Sequence, residues 1–205
     1  YLDADFRGGL KTDELNTEEC FRVIDQIAEV NPNAFLILTG GEPLLRPDIY
    51  EIIRYAADKK FMVVLGTNGT MINRVNAEKI KAAGAHGVGI SIDSMNPDKH
   101  NKFRGVDKAW ELSMDAFDIL NEVGVDFLVQ MSVSDMNYKE IPEVVEFTEK
   151  IGAIAFNLYF LVCTGRGQGN TDISNVAYEE ALKMLYEQQM KYKGRLMINS
   201  KCAPQ

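Results

Sequence analysis

Residues 34–43 have the sequence AFLILTGGEP, an uninterrupted apolar run that ends in two glycines, a glutamate and a proline. A continuous apolar run is typical of a strand that is buried on both faces of a parallel sheet. Gly40 and Gly41 carry no Cβ, so a ligand can approach their backbone closely. Pro43 has a fixed φ and favours an extended Glu42, which turns carbonyl oxygens and a carboxylate toward a ligand. These groups suit an ammonium rather than a phosphate; the alternative is a tight turn with a solvated Glu42.

Apolar strand-like runs alternate with amphipathic stretches along the rest of the chain. Strands are predicted at residues 34–39, 61–65, 88–92, 125–133, 154–162 and, briefly, 196–198. Helices are predicted between them, at residues 16–30, from 47 onward, and at 75–83, 109–123, 141–151 and 175–192. The helical spacing of Cys20, Val23, Ile24 and Ile27 gives the first helix one apolar face. Five or six β-α units in series predict a parallel sheet, either open and doubly wound or a full or partial barrel.

Unusual polar and glycine-rich clusters follow the predicted strands instead of preceding them. Besides the turn at 40–43, such clusters occur at residues 66–69, 91–93, 132–137 and 164–167. In parallel barrels the ligand-binding groups lie at the carboxyl ends of the strands. The clusters therefore favour a barrel, and consecutive turns on one rim predict a single ligand that spans them.

The residue types in these clusters indicate the chemistry of that ligand. Thr67 and Asn68 supply short donors and acceptors. Asp93 suits a vicinal diol such as ribose, while Ser91 and Arg104 suit a carboxylate. Together with the ammonium site, these groups describe an aminoacyl nucleoside. The sequence has neither G-x-x-x-x-G-K-S/T nor a G-x-G-x-x-G that follows a strand and opens a helix, so neither nucleotide-binding pattern is present.

Composition excludes several classes of protein. The 205 residues carry 22 basic and 30 acidic side chains, a net charge of −8. That charge disfavours a nucleic-acid or membrane partner, because either needs a basic surface. No apolar run approaches the roughly 18 residues of a membrane helix, and the amino terminus does not resemble a signal peptide. The three cysteines, Cys20, Cys163 and Cys202, are too widely spaced for a disulfide framework. We therefore predict a cytoplasmic protein.

These motifs resemble those of the radical S-adenosylmethionine (radical SAM) enzymes, in particular the subgroup with a cysteine-rich carboxyl-terminal extension called SPASM. The resemblance rests on motifs that occur in the family's order: GGEP at 40–43, TNG at 67–69, SID at 91–93, HNKFRG at 100–105 and GRG at 165–167. It implies a partial (β/α)6 TIM-like barrel of parallel strands, whose first strand and cluster loop lie upstream of Tyr1.

The resemblance assigns S-adenosylmethionine (SAM) to the predicted rim. The GGEP turn would hold the methionyl amine, the ends of the strands at 88–92 and 125–133 the ribose and carboxylate, and the next strand the adenine. The cofactor-binding residues that it implies are Gly40, Gly41, Glu42, Pro43, Thr67, Asn68, Ser91, Asp93, Arg104, Ser132 and Leu161. No catalytic residue is assigned, because the cofactor supplies the difficult chemistry.

The chain departs from the family at one decisive point: the C-x-x-x-C-x-x-C loop that ligates a [4Fe–4S] cluster is absent from it. Thiolates hold such clusters, so the resemblance places the ligands upstream of Tyr1. Cys202 resembles the first cysteine of the SPASM extension and is predicted to ligate an auxiliary [4Fe–4S] cluster. We expect residues 1–195 to form the radical SAM core and residues 196–205 to begin the extension.

Within the family, the stretches at 160–167 and 201–205 look most like enzymes that act on haem precursors, such as 12,18-didecarboxysiroheme deacetylase. The resemblance implies reductive cleavage of SAM to a 5′-deoxyadenosyl radical, which abstracts hydrogen from an iron tetrapyrrole. The electron donor would be a ferredoxin or flavodoxin.

Three alternatives belong to other classes of function. A peptide- or protein-modifying SPASM maturase would share all the SAM residues. A non-catalytic module would keep the SAM pocket without the cluster. A lyase of the aldolase type is disfavoured, since no predicted strand ends in a lysine suited to a Schiff base.

Overall fold

A computed structural model describes residues 14–160 and 173–201 of the chain. The predictions made for Leu161, Cys163, the GRG motif and Cys202 lie outside the described residues. The strands are β1 (Phe35–Leu38), β2 (Met62–Thr67), β3 (Gly87–Ser91), β4 (Phe127–Val133), β5 (Ala155–Phe160) and β6 (Met197–Lys201). The helices are α1 (Thr17–Val30), α2 (Ile49–Asp58), α3 (Arg74–Ala82), α4 (Pro97–Arg104), α5 (Ala109–Val123), α6 (Ile141–Lys150) and α7 (Asn175–Lys191). Short 3₁₀ helices occur at Pro43–Leu45 and Tyr138–Glu140.

The six strands are parallel and follow one another in chain order, β1-β2-β3-β4-β5-β6. A doubly wound sheet reverses its strand order at a switch point, and no reversal occurs among the described strands. The predicted fold class, an α/β partial (β/α)6 TIM-like barrel, is confirmed. The last strand is longer than predicted and pairs with β5 from Ala155↔Met197 to Tyr159↔Lys201.

Contacts divide the chain into two compact units. Unit 1 is drawn from the ranges Tyr1–Gly89 and Leu112–Asp126, and unit 2 from Ile90–Glu111 and Phe127–Gln205. In unit 1, the register Leu38↔Leu65 aligns the end of β1 with β2. In unit 2, the register Val133↔Phe160 aligns the ends of β4 and β5. Within each unit, therefore, polar residues that follow neighbouring strands are adjacent.

Helix boundaries follow the capping signals of the sequence. Asn16 accepts a hydrogen bond from the Glu19 backbone N–H, and the Glu19 carboxylate accepts one from the Asn16 N–H, so a capping box opens α1. The glycines that follow α3, α5, α6 and α7 all have positive φ: Gly84, Gly124, Gly152 and Gly194.

Three features differ from the sequence expectations. The β1 strand is not buried on both faces, because Phe35 is 54% and Ile37 46% exposed. As the first strand in the order, β1 has only β2 beside it among the described residues. Helix α1 packs less deeply than its apolar spacing predicts, since Val23 is 41% exposed; its Phe21 ring instead stacks on Tyr55 of α2. Finally, α4 was not predicted as a helix.

Among the described residues, no helix combines the length and the apolar sequence that a membrane span requires.

Candidate functional site

The GGEP turn of unit 1 buries its glutamate. Glu42 is extended, with φ −145° and ψ 108°, as expected before Pro43, and it is only 5% exposed. Its Oε1 accepts hydrogen bonds from the Leu44 N–H (3.1 Å) and the Thr67 hydroxyl (2.7 Å). Its Oε2 accepts one from the Asn68 N–H (2.9 Å). The carboxylate therefore ties the turn after β1 to the end of β2.

Burial dominates the electrostatics of this carboxyl group. Desolvation raises the pKa of Glu42, and the hydrogen bonds from Asn68, Thr67 and Leu44 offset only part of that rise. The group keeps no exposed face that a solvated turn residue would need. The alternative of a solvated Glu42 is thus contradicted by its 5% exposure.

The backbone of the same turn borders a cavity. A volume of about 410 Å³ in unit 1 is lined by residues that include Leu38, Thr39, Gly40, Glu42 and Pro43. A Cβ built at Gly40 would meet no atom within 4 Å, so this backbone is open to a ligand.

The TNG turn contributes a donor that the described residues leave unused. Asn68 Oδ1 accepts hydrogen bonds from the N–H (2.9 Å) and the hydroxyl (2.7 Å) of Thr70. The Nδ2 atom of Asn68 is buried and has no hydrogen-bond partner within the described residues. A buried amide N–H without a partner is costly, which makes Asn68 a candidate donor to a ligand oxygen.

The SID segment of unit 2 buries a second carboxylate. Asp93 is 1% exposed. Its Oδ1 accepts a hydrogen bond from the Ser132 N–H at 2.9 Å, and its Oδ2 accepts one from Arg104 Nε at 2.5 Å. A direct contact between Asp93 and a ribose stays a prediction. The geometry shows instead that this side chain holds a strand end and a guanidinium in place.

His100 supports the same segment from α4. Its ring is 1% exposed, and Nδ1 accepts a hydrogen bond from the Asp93 N–H at 3.2 Å. Burial, opposed by the nearby Asp93 charge and reinforced by Arg104, lowers the pKa of His100 to about 4. A neutral imidazole is required for Nδ1 to accept this bond. His100 therefore orders the loop.

Three residues of unit 2 keep polar atoms that a ligand could reach. Arg104 uses Nε for Asp93, and its terminal nitrogens make no hydrogen bond to any described residue. The hydroxyls of Ser91 and Ser132 are likewise unpartnered within the described ranges, and both residues are half-buried. These groups could bind a carboxylate or a hydroxyl.

Sequence reasoning missed Asn137, which completes this network. Its Nδ2 donates to the carbonyl oxygens of Asp93 and Ser132, both at 2.9 Å, and its Oδ1 accepts from the Ser134 N–H at 2.8 Å. The signal available was an asparagine in the polar cluster after β4, where amide side chains commonly hydrogen-bond backbone.

The described residues offer no metal centre. No group of three or more His, Cys, Asp or Glu side chains among them is arranged to hold a metal ion. Cys20 is half-buried, and burial raises the pKa of its thiol. It has no second cysteine beside it within the described part of the chain.

Comparisons with known proteins identify the family of the chain. A family model described as the Radical SAM superfamily matches residues 4–148. An AdoMet-dependent heme synthase from Methanosarcina barkeri is 39% identical over 191 residues, which are 93% of this chain and 54% of that protein. An Fe-coproporphyrin III synthase from the same organism is 33% identical over 182 residues, or 87% of this chain and 45% of that protein. The chain thus spans about half the length of these curated relatives.

A solved structure supports the fold. Streptococcus suis SuiB bound to S-adenosylmethionine matches with a TM-score of 0.77 at 15% sequence identity, over 94% of this chain and 45% of that one. At this identity the likeness establishes the architecture alone.

Proposed function

The chain belongs to the radical SAM superfamily, and from this premise we propose that the whole protein is an enzyme that reductively cleaves SAM and abstracts hydrogen from a haem precursor, an iron tetrapyrrole. The observation that carries the substrate class is the similarity to the heme synthase of M. barkeri, 39% identical over 93% of this chain. Membership of the superfamily implies SAM and a [4Fe–4S] cluster as cofactors.

The described residues fit SAM and do not fit the cluster. The buried, unpartnered Nδ2 of Asn68 and the open backbone at Gly40 are features that a bound ligand would satisfy. For the cluster, the described residues supply no set of thiolates. When bound, SAM would supply the 5′-deoxyadenosyl group that abstracts hydrogen from a substrate carbon, after one-electron reduction by an external donor.

The residues of unit 1 are assigned to the amino-acid end of SAM. The carbonyl oxygens of the GGEP turn, formed by Gly40, Gly41, Glu42 and Pro43, accept hydrogen bonds from the ammonium. Glu42 positions this turn because its carboxylate accepts hydrogen bonds from the Thr67 hydroxyl and the Asn68 N–H. Asn68 Nδ2 donates to a carboxylate oxygen.

The residues of unit 2 are assigned to the hydroxyl and carboxylate groups of SAM. Ser91 and Ser132 present hydroxyls, and Arg104 presents its terminal nitrogens. Asp93 acts through these groups, since it fixes both the Ser132 backbone and the Arg104 side chain. Leu161 is assigned to the adenine, from the resemblance alone.

Other parts of the proposal follow from the family resemblance. Cys202 ligates an auxiliary [4Fe–4S] cluster in a SPASM extension that begins near residue 196, after a core formed by residues 1–195. A ferredoxin or flavodoxin delivers the electron, and the protein works in the cytoplasm.

The test uses the full-length protein, reconstituted anaerobically with iron and sulfide and then reduced. We expect it to convert SAM to 5′-deoxyadenosine and methionine, and to do so faster when an iron tetrapyrrole such as Fe-coproporphyrin III is added. Stimulation by a peptide, and not by tetrapyrroles, would indicate a maturase. Binding of SAM without 5′-deoxyadenosine would indicate a non-catalytic module.

A further inference from the structure

A second cavity, which shares no lining residue with the cavity at Gly40, lies in unit 2 against helix α4. Its volume is about 370 Å³, within the range of small-molecule sites. It is lined by Asp93, Ser94, Lys99, Lys102, Phe103, Ser134, Met136 and Asn137. The lysines, the phenylalanine and the methionine of this wall are not among the residues that we assign to SAM.

The polar floor of the cavity is already satisfied. Asn137 Nδ2 donates hydrogen bonds to the carbonyl oxygens of Asp93 and Ser132, and its Oδ1 accepts one from the Ser134 N–H. The Ser94 hydroxyl donates to Glu140 Oε2. A ligand in this space therefore gains little from the floor, and its polar contact must come from elsewhere in the wall.

Among the described residues, one positively charged side chain of the cavity wall has no ion-pair partner. Lys99 Nζ pairs with Glu140 Oε1 at 2.7 Å, and Arg104 Nε pairs with Asp93. Lys102 has no ion pair or hydrogen bond from its side chain within the described residues, although Asp98 lies one turn before it on α4. In a chain of net charge −8, an uncompensated ammonium on a cavity wall favours an anionic group there.

The remaining wall is apolar. Phe103 is half-buried and Met136 is 61% exposed, so both can contact a ligand. A methionine side chain is flexible and polarizable, which suits contact with an aromatic ring. A single lysine with an apolar surround matches a monoanionic carboxylate on an apolar body. A phosphate dianion would call for a fork of arginines or a set of free backbone N–H groups.

We propose that this cavity binds a carboxylate side arm of the tetrapyrrole substrate, with Lys102 Nζ as its ion-pair partner and with Phe103 and Met136 against the adjoining ring. The proposal rests on the proposed function, which supplies the tetrapyrrole, and it adds the site at which that substrate is recognised. The volume takes one edge of such a molecule, so the rest of the macrocycle extends out of the cavity.

The test measures binding of Fe-coproporphyrin III, which has four propionate arms, to the full-length reconstituted protein by its absorbance change. The tetramethyl ester of the same compound keeps the ring and removes the charges. We expect K102Q to raise the Kd for the acid about tenfold, the scale of one charge-assisted hydrogen bond, and to leave the Kd for the ester unchanged.

Two further variants separate the charge from the fold. M136E introduces a negative charge at an exposed position, so folding is preserved and binding of the acid weakens. K183Q removes an exposed lysine of α7 that does not line the cavity, and it binds both compounds as the wild type does.

The possible results separate the role of the cavity from the function of the whole protein. If the wild type binds Fe-coproporphyrin III and K102Q binds it equally well, the cavity assignment is wrong while the proposed function stands. If K102Q instead weakens the binding of SAM, measured separately by calorimetry, the cavity serves the cofactor and the assignment is again wrong. If the wild type binds no tetrapyrrole and binds an acidic peptide, both proposals fall.

Discussion

Glu42 and Asp93 are both buried carboxylates that follow a strand and accept hydrogen bonds from the neighbouring strand end. Glu42 takes its donors from Thr67 and Asn68, and Asp93 from Ser132. In a low-dielectric interior such charge-assisted bonds are strong, and losing one leaves a buried donor unpaired. Each carboxylate therefore fixes the geometry of groups that could touch a ligand.

Replacement of Glu42 by glutamine tests this positioning role. In E42Q one carboxylate oxygen becomes an NH2 group, which faces a donor that then lacks its acceptor, so we expect a loss of about 2 kcal/mol in the free energy of unfolding. E51Q, at an exposed position on α2, provides the control and should unfold as the wild type does. Urea denaturation of both variants measures the difference. Equal stability of E42Q and the wild type would contradict the buried hydrogen bonds.

His100 gives the protein a pH dependence of defined sign. Its pKa is about 4 in the folded state, against an ordinary value of 6.5. Between these values the unfolded chain binds a proton at His100 that the folded protein does not, so stability falls as the pH falls through this window. From about pH 7 to about pH 5 the loss is about 2 kcal/mol.

The H100N variant isolates this contribution. Asparagine keeps an acceptor for the Asp93 N–H but does not titrate, so the variant should lose about 2 kcal/mol less than the wild type on acidification. Glu42, whose pKa is raised, contributes with the opposite sign, and it cancels in the comparison. H86N is the matched control variant, because the exposed His86 also accepts a hydrogen bond from a backbone N–H, that of Val63. An unchanged pH slope in H100N would exclude the buried, neutral histidine.

For single residues, the sequence predicts which residues belong to the site better than it predicts which groups their side chains contact. The GGEP, TNG and SID motifs identified Glu42, Asn68 and Asp93 as residues of one chemical set. They could not show that the carboxylates turn to neighbouring backbone, because that depends on strand register. Asn137 was missed for the same reason, since an asparagine after a strand has many partners available to it.

Among the secondary-structure elements, helix α4 is one that the periodicity of apolar residues does not predict. It has only eight residues, PDKHNKFR, and His100 is its buried residue, so no apolar face can be detected. Its boundaries were nevertheless present in the sequence. Asn96 accepts from the Lys99 N–H at 3.1 Å, Pro97 occupies the first turn, and Gly105 ends the helix with φ +65°.

Loss of the α4 cap should act locally. In N96A the helix loses its side-chain acceptor, at a cost of about 1 kcal/mol. We expect faster amide hydrogen exchange in α4 than in the wild type. N16A removes the corresponding cap of α1 in the other unit and should cost a similar amount without changing exchange in α4. Uniform acceleration of exchange in both variants would show that α4 is not held by its own cap.

For the whole molecule, the order of strands was predictable because each β-α unit repeats the same local pattern. Apolar runs fixed where β2 to β5 lie, and glycines after helices fixed where each repeat ends. Exposure was less predictable. The run at 34–39 is as apolar as the others, but the burial of a strand also depends on its neighbours in the sheet, and β1 is first in the order.

Binding of SAM must raise the stability of the whole protein, because a ligand that binds only the folded state shifts the unfolding equilibrium. At a SAM concentration one hundred times Kd the gain is about 2.7 kcal/mol.

In N68A the ligand loses the proposed Asn68 donor, so a tenfold weaker Kd reduces the gain at the same concentration to about 1.4 kcal/mol. Each variant is compared with itself without SAM, which removes any effect on the turn. T70V is the matched control, since it disturbs the same turn and leaves Nδ2 in place. Equal stabilisation of N68A and T70V by SAM would show that the unpartnered amide does not face the cofactor.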